Sequence, residues 1–116
     1  MDQKSIARFR KSLKVRQQEL RNRLSERRRE GVTNDPDYVK DEGGRGITSQ
    51  TQETILRQTS RDRSLLVAVT AALARVDAGT FGECHNCGQE INSKRLEAVP
   101  WVRYRIVCQD LIDEGN

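Results

Sequence analysis

The chain has 116 residues, of which 34% are hydrophobic, 4% aromatic and 33% charged, with a formal net charge of +4. That length holds one domain or one compact module with an extension, and so few apolar side chains exclude a large single core. No run of about 18 apolar residues occurs and the N-terminus lacks a signal peptide's apolar segment, which predicts a soluble, cytoplasmic protein without a membrane segment.

Residues 3 to 30 contain no Gly or Pro and favour good helix formers, with Gly31 placed as a stop. Ile6, Leu13 and Leu20 recur every seven residues, and Phe9 and Leu24 lie beside that stripe. So narrow a stripe is the seam of a coiled coil rather than the broad face of a globular helix. This first helix is also basic. Residues 1 to 31 hold eleven Lys/Arg against four Asp/Glu, a net of +7. Such a surface suits nucleic acid or an acidic protein face.

Residues 31 to 47, GVTNDPDYVKDEGGRGI, lose the period and read as a turn region. A second helix is predicted from about Ser49 to Asp77, with Ile55, Thr59, Leu66, Val69, Leu73 and Val76 in alternating threes and fours and a gap at Asp62. Two such helices make an antiparallel hairpin with arms of about 40 Å, at 1.5 Å per residue. The seam weakens toward the loop, where Arg27 and Gln52 fall near seam positions.

After Gly79 the chemistry changes. Cys84 and Cys87 form a Cys-x-x-Cys pair in a Gly-bearing loop, and the frame continues as C-x2-C-x17-R-x2-C, with Arg105 and Cys108 in the second pair. With Cys at 105 this would be a four-thiolate zinc frame of diagnostic spacing. As written it is a zinc-ribbon-like frame with three thiols. A guanidinium stays protonated and cannot ligate, and its fixed charge opposes a cation. Water or His85 could complete the shell, although His85 sits inside the knuckle loop and would strain it. The expected cofactor is therefore zinc on Cys84, Cys87 and Cys108, an incomplete ligand set. The alternative is a metal-free globule held by Phe81, Ile91, Leu96, Trp101, Tyr104, Ile106 and Val107. A thioredoxin-like dithiol lacks its βαβ context, and no nucleophile–base constellation supports an enzyme. A short C-terminal helix is expected from about Trp101 to Glu114, returning against the hairpin base.

Phe81-Gly82, Cys87-Gly88, Glu90-Ile91, Arg95-Leu96-Glu97-Ala98, Pro100-Trp101, Tyr104 and Cys108-Gln109 together resemble the C4 zinc finger of the DksA/TraR family. The family's third cysteine falls on Arg105. The resemblance covers the last third of the chain, and the preceding helices agree with it in length and order. It implies a mainly α protein: a coiled-coil hairpin over residues 1–78 with its tip at about 31–47, then a zinc-finger globule and C-terminal helix over 79–116.

The resemblance further implies a transcription regulator that enters the secondary channel of bacterial RNA polymerase and acts with acidic tip residues near the active site. The family's D-x-x-D-x-A tip falls, without a gap, on Asp41-Glu42-Gly43-Gly44-Arg45-Gly46. Asp41 matches, and Glu42, Asp35 and Asp37 keep the tip acidic, but Gly44 and Gly46 depart from the motif. The basic positions that serve ppGpp in the family are Ala68, Val99 and Gln109 here, with Arg61 retained, so strong ppGpp dependence is not expected. Two other readings stand beside this one. A basic zinc-ribbon nucleic-acid binder would use the first helix, which has no groove-reading motif. A structural or adaptor paralogue would have lost activity on transcription.

Overall fold

The computed structural model describes residues 1–29 and 49–115. Four helices follow in order: α1 (Gln3–Arg29), α2 (Ser49–Ala78), α3 (Ser93–Ala98) and α4 (Ile106–Glu114). The protein is mainly helical, with α1 and α2 packed as an antiparallel hairpin ahead of a zinc-ribbon-like knuckle. An isolated antiparallel bridge joins Glu83 and Glu90 in that knuckle. No described helix is long and apolar enough to cross a membrane. The expected tip, with Asp35, Asp37, Asp41 and Glu42, lies outside the described residues.

The start of α1 is capped by Asp2, whose Oδ1 accepts from the Ser5 N–H at 2.9 Å. The end of α2 is closed by Gly79 at φ +80°, with the Gly79 N–H bonded to Val76 O and the Thr80 N–H to Arg75 O. This pair of bonds is a Schellman motif, and the left-handed backbone it requires is why the break falls on glycine.

Two compact units result, Met1–Arg16 with Ala68–Asn116, and Gln17–Val67. In the second, Leu20, Leu24, Thr59 and Asp62 are buried. The gap in the seam of α2 is therefore no gap. Arg27 Nη1 reaches Asp62 Oδ2 at 2.8 Å, and Arg23 Nη1 reaches Oδ1 at 3.4 Å. Arg27 also donates to Thr59 Oγ1 at 3.3 Å. Two seam positions that look polar in isolation pair as opposite charges across the hairpin.

In the first unit the core comprises Phe9 and Leu13 of α1, Val69, Ala72 and Val76 of α2, and Phe81, Ile91 and Leu96 of the knuckle and α3. Phe9 and Phe81 meet with ring centroids 5.2 Å apart, tilted by 47°. Arg75 Nη2 donates to the carbonyls of Trp101 and Val102 at 3.4 Å, and the Arg16 guanidinium lies 5.8 Å over the Trp101 ring.

Three expectations are corrected in this unit. Helix α3 was not foreseen; Asn92 caps it by accepting the Lys94 N–H at 2.8 Å, and it ends at Val99, which Pro100 keeps extended. Helix α4 begins at Ile106 rather than Trp101. The carbonyls of Trp101, Val102, Arg103 and Tyr104 bond to Arg75, His85 and Arg95 instead of to a helical ladder. Finally, Ile106 and Val107 are 56% and 58% exposed, because α4 is turned so that Cys108 faces inward.

Candidate metal centre

The knuckle is built by a backbone that folds back on itself. The Cys84 N–H bonds to Gln89 O at 2.8 Å, the Gly88 N–H to Cys84 O at 2.9 Å, and the Ile91 N–H to Gly82 O at 2.8 Å. Gly88, at φ +78°, makes the turn that brings Cys87 back beside Cys84. The third thiol arrives from the first turn of α4. As a result the Sγ atoms of Cys84, Cys87 and Cys108 all lie within 4.8 Å of one another. All three thiols are free, Cys84 and Cys108 buried and Cys87 exposed. Among the described residues, His85 does not join this group. Its ring stands edge-on to Tyr104 at 6.0 Å, and its N–H bonds to Arg103 O at 2.7 Å.

Arg105 meets the cluster through two hydrogen bonds. Its backbone N–H donates to Cys84 Sγ at 3.3 Å, and its Nη1 donates to Cys87 Sγ at 3.5 Å. The guanidinium expected to oppose the site is bonded to one of its sulfurs, Cys87 Sγ. Spacing alone could not reveal this, since it identifies a missing thiolate but not where the replacing side chain points.

These donors set the protonation of the group. Burial pushes the Cys84 thiol up, but the N–H groups of Arg105, Cys87 and Asn86, with a hydrogen bond from Cys108, outweigh it and bring its pKa down to about 6. Asn86 pulls Cys108 down, yet burial and the neighbouring Cys87 and Cys84 together leave it above its ordinary value. Arg105 is raised, first by its bond to Cys87. These shifts favour the thiolate at Cys84 over that at Cys108.

A zinc ion with bonds of about 2.3 Å spaces its sulfurs by about 3.8 Å, a separation compatible with this cluster. The three cysteines can hold such an ion, with the fourth ligand supplied from outside the chain. Bound there, zinc would cross-link both arms of the knuckle to the first turn of α4.

Arg61 is exposed and lines a surface cavity of about 330 Å³ with Arg23, Arg27, Gln58 and Asp62. Ala68, Val99 and Gln109 are half-buried.

Residues 79–113 match the prokaryotic dksA/traR C4-type zinc finger. The chain is 31% identical to the RNA polymerase-binding transcription factor DksA of Haemophilus influenzae, over 97% of this chain and 77% of that protein. An uncharacterised protein of Aquifex aeolicus is 31% identical over 61% of this chain, a match spanning about half (49%) of that relative. The fold is similar to that of transcription factor DksA2 from Pseudomonas aeruginosa, with a TM-score of 0.78 and 26% identity over 99% of this chain and 88% of that one.

Proposed function

Because the chain belongs to the DksA/TraR family, whose members bind RNA polymerase as transcription factors, we propose that it regulates transcription by binding bacterial RNA polymerase through the secondary channel. The observation that carries the reading is the similarity to DksA over 97% of the chain, hairpin and knuckle together. The hairpin over 1–78 is the reaching arm, and the knuckle and α4 over 79–116 dock outside the channel. Asp41, with Glu42, Asp35 and Asp37, acts near the polymerase active site, where carboxylates can compete for Mg²⁺ ligands or shift the populations of basic loops.

The protein acts by binding and not by covalent chemistry. It does not read DNA sequence, since the one aromatic among the basic residues of α1, Phe9, is buried in the core and cannot stack on bases. Ala68, Val99 and Gln109 offer no charge to a guanosine polyphosphate, so dependence on ppGpp is weak.

The test is binding of the purified chain to bacterial core RNA polymerase in competition with a known secondary-channel factor. Mutually exclusive binding is expected. Asp41→Ala is then expected to retain binding and lose the effect on transcription in vitro. No binding at micromolar concentration, or simultaneous binding of both factors, sinks the reading.

A further inference from the structure

Three sulfurs and one cation make a site with its own selectivity. A closed structural zinc site needs four ligands in a tetrahedron. Here three thiol sulfurs lie within 4.8 Å of one another, while the residue at the frame's fourth ligand position, Arg105, donates to Cys87 Sγ at 3.5 Å and has no lone pair to offer. Zinc must therefore recruit a ligand from solvent against the Arg105 guanidinium. A heavy ion with a stereochemically active lone pair has no such need, because the lone pair itself takes up the fourth direction.

Charge narrows the choice. Three thiolates carry −3 and Arg105 carries +1, so a divalent ion leaves the group neutral, whereas a trivalent one leaves it positive and a monovalent one negative. Soft sulfur donors favour soft ions. Burial of Cys84 and Cys108 makes that neutrality matter more than it would in water.

We propose that Cys84, Cys87 and Cys108, capped by Arg105, form a three-sulfur site for soft divalent ions with a lone pair, of which lead(II) is the type, in preference to zinc. Each thiol that binds gives its proton to solvent and becomes a thiolate ligand; nothing is oxidised or reduced. Arg105 is the positioning and charge-balancing residue. Its replacement by cysteine restores a fourth sulfur and returns the site to zinc.

The experiment uses the full chain, reduced and metal-free, titrated with lead(II) and with zinc against a competing chelator. Sulfur-to-lead charge-transfer absorption is the readout, and no polymerase is involved, so the outcome is independent of the proposed transcriptional role. One lead ion per chain with a three-sulfur absorption band is expected. Cys87→Ser, which alters the exposed thiol, should remove that band while leaving the helical circular dichroism in place. Arg105→Cys should lower the lead-over-zinc preference by about tenfold or more. An unchanged preference in Arg105→Cys overturns the proposal, as does a wild-type chain that takes zinc more tightly than lead(II).

Discussion

Asp62 is the residue whose meaning changes most between sequence and structure. Its side chain is 12% exposed and its Arg27 partner 18% exposed, so the pair is shielded from water well beyond an ordinary surface ion pair. Removing Asp62 leaves the Arg27 charge shielded from water with only the Thr59 hydroxyl to accept from it. Asp62→Ala is expected to lower stability by about 2 kcal/mol in urea unfolding, below the full cost of a completely buried pair. Asp62→Leu in an Arg27→Leu background is expected to recover most of that loss, because apolar residues then fill the seam. A loss in the double variant equal to the sum of the Asp62→Leu and Arg27→Leu losses would show that the two residues are uncoupled. Asp2 gives the clearest pH dependence. The Ser5 side chain first, and the Ser5 N–H after it, hold its carboxyl below the ordinary value of 3.8. A depressed folded value means the cap is fully effective above the unfolded pKa and is lost as pH falls through the lower folded one. Hydrogen exchange at Ser5, corrected for intrinsic rates, should therefore show protection at neutral pH that disappears under strong acid. Protection that is flat across this range would contradict a carboxylate cap.

Helices α1 and α2 are held by their seam and not by intrinsic propensity alone, since long isolated helices this polar gain little from water. Leu20 is fully buried there. Leu20→Ala should cost about 3 kcal/mol through lost transfer energy and an unfilled cavity. Val67, in the same helix pair but 70% exposed, should tolerate Ala with a change within about 0.5 kcal/mol. Comparable losses at both positions would mean that the burial pattern is not what stabilises the hairpin. The short helices follow a different logic. Helix α3 exists between a capping Asn92 and a terminating Pro100, and α4 starts where Arg105 leaves an extended backbone at φ −63°, ψ 156°. Asn92, the good helix formers after it and Pro100 were visible signals for α3. The late start of α4 was not, because the carbonyls ahead of it are claimed by side chains distant in sequence.

A chain with 34% hydrophobic residues has little apolar area with which to hold its C-terminal globule, and small domains of this type are commonly reinforced by metal. Here the globule leans on α1 and α2 through Phe9, Phe81 and Trp101, while the ligand set stops at three. Completing it should make the whole fold metal-dependent. Arg105→Cys is expected to unfold at a higher temperature with zinc than without, and to lose that gain on addition of a chelator. Absence of any chelator effect in this variant would contradict the assignment of position 105 to the fourth corner.

The periodicity of α1 and α2, the Gly79 break and the Cys frame were legible because each is written in residues close together in the chain, where helix period and ligand spacing act. Phe9, Leu13, Leu20, Leu24, Val69 and Val76 all occupy the seam that their spacing predicts. The pairing of Arg27 with Asp62, the claims on the Trp101–Tyr104 carbonyls and the outward turn of Ile106 and Val107 depend on partners many residues away. So does the bond from Arg105 to the Cys87 sulfur. A polar residue carries no mark of whether a distant opposite charge will meet it, and only the folded chain, by bringing donor and acceptor within about 3.5 Å, decides whether an arginine repels a metal site or becomes part of it.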